Sequence, residues 1–549
     1  MRRGVLFVIA LSALMCFVGL GRTAISDSDE AFYAEAAREM LESGDWLTPT
    51  FNFDERFQKP ILYYWLTAAT YAVAGVGPFA ARVWSALSGL AIALLVYWVA
   101  RRWYDEPTGL AAGIVAATTF GSALMARMAL PDLPLAALTT AATAFALVAV
   151  YDEHRSALPW VLLASAVAAL AMLTKGPVGP LLVVLAVGGA IALDRRAALI
   201  RPSHLGLAAL AFLVIATPWY AAMAARHGME YLLGFFGGDN LARFSTPRFN
   251  APRPFGYYLP IIALGLAPWT AFTILWIPVL RYALRHPGWG GTIERRLIAW
   301  ALLPLLFFSV SLGKQPRYIL PVLPPLAILL ARSITLRLAG AAADRRDDPW
   351  LRTAAALAAA YVILLGIVLL RTHPLVDGFA PPWVLRMVAA GTIAAGISAL
   401  ALAARTNLSR LASSTALAAC VAMLAFIVTF SPTGPDPVER LAALVREHHH
   451  ASGIVGTFRV MVRNLVFHTH LATSDLSTEA DLDRFVARPE RLLLVIARPD
   501  RLATESRTGR TLRVLGSVRY FNAVLASPRT LLFPDLSRDV AEVEVVATR

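Results

Sequence analysis

The side chains able to do chemistry in this sequence gather in the short polar stretches between long apolar runs. The segment from Asp27 to Trp65, DSDEAFYAEAAREMLESGDWLTPTFNFDERFQKPILYYW, follows the first apolar run and holds Asp29, Glu30, Tyr33, Lys59 and Tyr63. A second carboxylate, Asp132, lies in ARMALPDLPL, and Lys175 lies in LTKGPVGP. Arg243, Arg248 and Arg253 alternate with aromatics in GFFGGDNLARFSTPRFNAPRPFGYYLP, while SLGKQPRYILPVLPP contributes Lys314, Arg317 and Tyr318. Carboxylates suit proton transfer or orientation of a reactant, and cations clustered in tight turns suit an anionic ligand such as a phosphate. Each has a plainer reading. Lys59 and Lys175 can snorkel to lipid phosphates, Asp132 can pair with Arg127, and Asp27 followed three residues later by Glu30 is a capping-box pattern that would make Glu30 a capping or orienting group, although Glu30 stands with Asp29 and Asp132 as a catalytic candidate.

The elements that must position these groups are membrane helices. The chain has 549 residues, 58% hydrophobic and 16% charged, with a mean hydropathy of +0.60, which excludes an ordinary soluble enzyme. Apolar runs near residues 79–100, 107–126, 133–151, 157–174, 177–193, 205–223, 258–280, 297–312, 318–334, 352–370, 383–403 and 411–430, with the first segment, predict about 13 spans. Placing Arg2 and Arg3 inside puts Arg101, Arg102, Arg155, Arg195, Arg196, Arg281, Arg285, Arg345 and Arg346 in inside loops, as the positive-inside rule expects. The candidate residues then all face outward. The net charge of +14 is accounted for by such loops and by anionic lipid, so nucleic acid is not a partner. Cys16 and Cys420 both lie in apolar runs and suggest no disulfide.

Residues 29–43 predict a surface helix whose Tyr33, Ala36, Ala37 and Met40 face inward, with Glu35, Arg38, Glu39 and Glu42 facing away. Asp29, four residues before Tyr33, falls on the inward side. Residues 61–77 predict a second interfacial helix, with Tyr63, Tyr64 and Trp65 at headgroup level. The first outer loop thus runs over 22–78, within a transmembrane region of 1–430. Residues 431–549 change character at SPTGPDP and predict a soluble α/β domain, with helices at 436–448 and 478–487 and strands at 453–458, 465–468, 492–496 and 540–546. His448, His449 and His450 are consecutive and point in different directions on a helix, a poor metal set. No nucleotide-binding fingerprint occurs in a fitting context.

DSDEAFYAEAAREM, KPILYYWL, ALPDLPL, TKGP, NLARF and PRYILPVLPPLA, in that order over residues 1–430, resemble the integral-membrane GT-C glycosyltransferases, and within them the bacterial aminoarabinose transferases. The resemblance implies a polytopic α-helical enzyme with a periplasmic α/β tail. It implies transfer of 4-amino-4-deoxy-L-arabinose from undecaprenyl phosphate to lipid A phosphates at the periplasmic face of the inner membrane, conferring polymyxin resistance. Asp29 and Asp132 then match the acidic residues of the first and second loops, and Lys59 the carrier-phosphate ligand. Lys175, Arg243, Lys314, Arg317 and Tyr318 stand in matching stretches. Gln58 stands where an acidic residue would help a metal site, which argues against a metal at that position; no cofactor is required, with an adventitious or structural divalent metal left open. The expected partners are the lipid-linked donor, lipid A and membrane lipid, with the enzyme acting as a monomer. A protein O-mannosyltransferase-like enzyme shares the donor logic, and a secondary transporter is the alternative from another class.

Overall fold

The computed structural model describes residues 2–25, 28–152, 156–194, 201–247, 250–285, 292–344, 348–375, 381–405, 408–429, 434–449, 454–461, 463–521 and 527–548. Asp27, hence the capping-box reading of Glu30, lies outside them, as do Arg155, Arg195, Arg196, Arg248, Arg345, Arg346 and His450. The protein is a multi-pass helical bundle with a sheet-containing C-terminal region. Its helices are α1 (Arg2–Phe17), α2 (Ser28–Ser43), α3 (Leu62–Ala74), α4 (Pro78–Trp103), α5 (Glu106–Thr118), α6 (Phe120–Met125), α7 (Asp132–Tyr151), α8 (Leu158–Lys175), α9 (Val178–Asp194) and α10 (Pro202–His227). There follow α11 (Met229–Leu233), a π-helical segment Gly234–Leu241, α12 (Ala242–Ser245), α13 (Tyr258–Gly265), α14 (Trp276–Arg285), α15 (Thr292–Val310), a 3-10 segment Pro316–Val322 and α16 (Leu323–Asp344). α17 (Pro349–Thr372), α18 (Pro382–Arg405) and α19 (Leu408–Thr429) complete the bundle.

A helix, whole or broken, occupies every apolar run read from the sequence. Among the described residues, eight are long and apolar enough to cross a membrane, or nine if the pair Phe255–Gly265 and Trp269–Pro278, bent by 113°, is one span. The difference from 13 has local causes. The run at 107–126 breaks at Thr119, α1 and α9 are short, and α15 begins on Glu294, Arg295 and Arg296.

The first loop departs from the expected amphipathic surface helix. Tyr33, Ala36, Ala37 and Met40 of α2 are buried, but so are Glu35, Arg38 and Glu39 on the other side. A hairpin, β1 (Thr50–Phe51) paired with β2 (Asp54–Glu55), and a helix of the C-terminal region cover that second face. The buried charges satisfy each other: Arg38 donates to Glu35 from Nε at 2.8 Å and from Nη2 at 2.5 Å, and Nη1 reaches Glu42. Glu39 accepts from Thr50 Oγ1 at 2.5 Å and from the Phe53 amide at 3.2 Å. That grip offsets a turn in which Asn52 (φ 56°) and Phe53 (φ 67°) are both left-handed, a conformation Asn tolerates and Phe does not. α2 packs over α3 and buries its Tyr63, Tyr64 and Tyr71.

The C-terminal region is built from α20 (Pro437–His448), β3 (Val455–Phe458), α21 (Asn464–Thr469), β4 (Thr473–Leu476), α22 (Glu479–Val486), β5 (Leu493–Ala497), α23 (Arg498–Thr508), β6 (Arg513–Phe521) and β7 (Val540–Ala547). The sheet order is β4-β3-β5-β7-β6, parallel across β4-β3-β5 and antiparallel across β5-β7-β6. Central β5, LLVIA, is a continuous apolar run buried on both faces. α20 opens with a full capping box, Asp436 accepting from the Val438 amide and Glu439 from the Asp436 amide. The expected strand at 465–468 is instead α21. A four-residue apolar run has no decisive period, and here it is wedged against α20 and α2. Hydrogen bonds are among the contacts that seat the region on the bundle. Asn52 Nδ2 donates to the Thr473 carbonyl at 2.9 Å, Asn52 Oδ1 accepts from the Thr473 amide at 2.8 Å, and His468 Nε2 meets the Ile25 carbonyl at 3.1 Å. Burial lowers the His468 pKa, so the neutral ring donates to Ile25.

Candidate functional site

Four separate helix ends and one loop converge on a single polar cluster. Asp132 is the first residue of α7, where the helix dipole favours a carboxylate, and it is 4% exposed. Lys175 is the last residue of α8, turned inward by Gly176 at φ +83°. A Cβ at Gly176 would lie 3.1 Å from both Asn240 Oδ1 and Phe235 Cζ, so glycine is required for conformation and for space. Lys175 Nζ donates to Asp132 Oδ1 at 2.5 Å and stands 4.7 Å from the centre of the Tyr318 ring. Arg317, at the start of the 3-10 segment before α16, donates through Nη2 to Asp29 Oδ2 at 2.5 Å, and its Nε lies 3.5 Å from Asp132 Oδ2. Arg317 therefore ties the two candidate carboxylates together.

Lys59, Asp132, Lys175, Arg243, Arg317 and Tyr318 line a cavity of about 540 Å³. Apart from Asn240 and Ser311 its other walls are apolar, among them Leu135, Val178, Leu181, Phe236, Phe244 and Phe307, with Phe244 and Phe307 stacked at 4.9 Å. Four cations meet two carboxylates, counting Asp29 at the edge, so the site carries excess positive charge beside an apolar trough. Lys59 concentrates that excess. Among the described residues it forms no ion pair, and burial, then the nearby Arg243 and Lys175, push its ammonium well below the ordinary lysine pKa. An anion arriving here relieves that repulsion. The arrangement suits a ligand with a phosphate head and a long apolar tail.

Several residues read from the sequence sit elsewhere. Glu30, taken there as catalytic or capping, is a buried structural anion: Arg82 donates to it from Nε at 2.6 Å and Nη2 at 2.9 Å, and the Ala129 amide donates at 2.7 Å. Lys314 points away from the cavity, to the Arg253 carbonyl at 3.0 Å and to that of Ser311, so it pins the long loop instead of meeting a phosphate. Tyr63 is buried with its hydroxyl on the Ala81 carbonyl at 3.2 Å. Tyr33 stacks on Tyr64 at 5.5 Å behind the site, where burial raises its pKa well above the ordinary value. Arg127 does not pair with Asp132; it donates to the carbonyls of Met15, Val18 and Ala123. No cluster of three or more His, Cys, Asp or Glu able to hold a metal occurs among the described residues.

Arg82, Arg56 and Arg463 were not singled out in the sequence. Arg82 had a signal, being a charge inside an apolar run. Arg56 lies 3.9 Å from the Phe32 ring centre and donates to the Tyr64 hydroxyl at 3.1 Å. Arg463 belongs to the C-terminal region and offered no local signal.

Known proteins resemble this chain in sequence or in fold. Residues 6–232 match the family model described as dolichyl-phosphate-mannose-protein mannosyltransferase. An undecaprenyl phosphate-alpha-4-amino-4-deoxy-L-arabinose arabinosyl transferase from Edwardsiella ictaluri is 35% identical over 55% of this chain and 54% of its own length. A protein of the same description from Pectobacterium carotovorum is 32% identical over 67% of this chain and 66% of its own. The chain thus spans between about half and two thirds of these curated relatives. The crystal structure of ArnT from Cupriavidus metallidurans bound to undecaprenyl phosphate superposes with a TM-score of 0.74 at 23% identity, over 99% of this chain and 98% of that one. The archaeal oligosaccharyltransferase AglB from Archaeoglobus fulgidus shares the fold at a TM-score of 0.53 and 11% identity, over 87% of this chain and 64% of that one. The chain is thus similar over part of its length to these lipid-linked sugar transferases, and it shares the fold of the solved structures.

Proposed function

We propose that this protein transfers 4-amino-4-deoxy-L-arabinose from undecaprenyl phosphate to a phosphate of lipid A, as a monomer at the periplasmic face of the bacterial inner membrane. The modification lowers lipid A's negative charge and so protects against polymyxin and cationic peptides. The observation that carries the reading is the cavity itself, in which Lys59, Lys175, Arg243 and Arg317 stand beside an apolar trough. The donor's phosphate fits the cations and its isoprenoid chain fits the Phe244 and Phe307 wall.

The acceptor follows from proton bookkeeping. An acceptor phosphomonoester oxygen attacks the anomeric carbon, the C–O bond to the carrier breaks, and its electron pair stays on the undecaprenyl phosphate. A monoester and a diester become a diester and a monoester, so no proton need move and total charge is unchanged. A hydroxyl acceptor would have to give up a proton. Both site carboxylates that could take one are held by cations, Asp132 by Lys175 and Asp29 by Arg317. Those carboxylates instead hold the cations in place and orient the reactants, Asp29 being placed for the acceptor or the sugar amine. Charge growing on the leaving phosphate is met by preplaced cations, Lys59 foremost, in the role a divalent metal would otherwise fill. In-line attack inverts the anomeric carbon.

The test is purified protein with undecaprenyl-phosphate aminoarabinose and lipid A, followed by mass spectrometry. Native protein is expected to add the sugar to lipid A phosphate, and Lys59→Ala to lose about 100- to 1,000-fold in kcat. Unchanged turnover in Lys59→Ala, or a product of retained configuration, overturns the reading. The match to the mannosyltransferase model favours one rival, and sugar appearing on a protein hydroxyl rather than on lipid A decides for it.

A further inference from the structure

If the acceptor is a phosphate, as proposed above, the transition state holds two phosphates, one on each side of the sugar, and both carry negative charge. The cavity cations serve one of them. Across Asp29 from Arg317 stands Arg463, contributed by the segment before α21: its Nη1 lies 3.6 Å from Asp29 Oδ1, while Arg317 holds Oδ2. That distance is too long for a hydrogen bond, and the Arg463 side chain is 43% exposed. The guanidinium rests on the Phe32 ring, 4.5 Å from its centre, and Arg56 stands at 3.9 Å from the same ring. Arg463 is thus parked beside the site carboxylate with donors to spare, on a surface that water and a headgroup can reach.

We propose that Arg463 binds the acceptor phosphate, so that the C-terminal region completes the acceptor half of the site. The planar guanidinium offers the bidentate geometry that a phosphomonoester accepts, and Arg56 adds a second positive charge from beneath Phe32. Without them an anionic acceptor would approach Asp29 unaided. The Asn52 and Thr473 pair is one of several attachments of the region to the bundle, so its loss alone leaves Arg463 beside Asp29. The role of this region is then recognition, with Arg463 touching the acceptor directly.

The experiment compares native protein, Arg463→Ala, Arg463→Lys and Asn52→Ala in the lipid A transfer assay, with undecaprenyl phosphate binding measured separately. Arg463→Ala is expected to raise the KM for lipid A about ten- to a hundredfold, the weight of a charge-assisted contact, while the Kd for undecaprenyl phosphate stays within twofold. Arg463→Lys should recover part of the loss, and Asn52→Ala should lower thermal stability without reproducing the KM change. An unaltered lipid A KM in Arg463→Ala, an equal weakening of undecaprenyl phosphate, or the full effect in Asn52→Ala overturns the proposal. If native protein fails to modify lipid A, the phosphate acceptor itself is wrong and this inference falls with it; active native protein with an indifferent Arg463→Ala defeats this inference alone.

Discussion

Asp29 and Glu30 are neighbours in the chain and belong to opposite kinds of ionic site. Glu30 meets Arg82 in a bidentate pair, both side chains 3% exposed, and the remaining Arg82 donors go to the carbonyls of Leu20, Thr23 and Ala24. Every charge there has its counter-charge, and the result ties the ends of α1 and α4 to the loop before α7. Asp29 faces the other way, into a cluster with more cations than anions and with Lys59 unpaired among the described residues. One ionic site is finished without a ligand; the other, on the function proposed here, is finished by one. A buried pair is costly to break and inert, whereas an unbalanced cluster costs stability and binds.

The contrast breaks first at Arg82. Arg82→Met leaves Glu30 buried without its partner and should cost about 3–5 kcal/mol, read as a drop in thermal unfolding temperature in detergent. Adding Glu30→Leu should restore much of the loss. Lys59→Met should behave inversely, with unfolding at or above the native temperature and transfer lost. If both variants destabilise alike, the two sites are not different in kind.

Next in size is Gly176→Ala, which sharpens the comparison by disturbing only the unbalanced cluster. A side chain at φ 83° and ψ −159°, a region essentially reserved for glycine, costs about 1–3 kcal/mol, and its Cβ would press on Asn240 and Phe235. Because Lys175 is the adjacent residue, the shift should loosen its bond to Asp132 and lower turnover about tenfold, with the Glu30 pair and overall fold intact. Native-like turnover in a folded Gly176→Ala protein would show that Lys175 needs no such exact placement.

The chemistry was more legible in the sequence than the packing. Asp29, Lys59, Asp132, Lys175 and Arg317 stood out because ionisable groups at the ends of apolar runs need a reason, and all five converge in the structure. Separating Asp29 from Glu30 rested on helical register, and the partner that makes Glu30 structural, Arg82, lies in another helix. The second face of α2 was illegible for a similar reason. Glu35, Arg38 and Glu39 look like a solvated face until β1, β2 and α21 cover it, and α21 comes more than 400 residues later. Lys314 shows the limit from the other side: its type and turn resemble those of Arg317, yet two backbone carbonyls claim it. Residues 465–468 failed because four apolar residues carry no usable period.

The mildest intervention separates the two sites by their response to pH, leaving the native side chains in place. Burial, then the neighbouring Arg243, Lys175 and Arg56, depress the Lys59 pKa against an opposing pull from Asp132, so the folded protein holds this proton less tightly than the unfolded chain does. By linkage, Lys59 penalises folding below its folded pKa, and stability rises with pH from there toward the ordinary lysine value of about 10.4. Binding has the opposite sign. A phosphate beside Lys59 restores the proton, so affinity for undecaprenyl phosphate should weaken as pH rises through the folded pKa, by up to about tenfold per unit. Arginine stays charged throughout, so Lys59→Arg should bind with a flatter profile between about pH 7 and 10, where the phosphate is already dianionic. Titrations of undecaprenyl phosphate against both proteins over that range decide the point, and parallel profiles would mean that Lys59 is not the group whose charge the ligand completes.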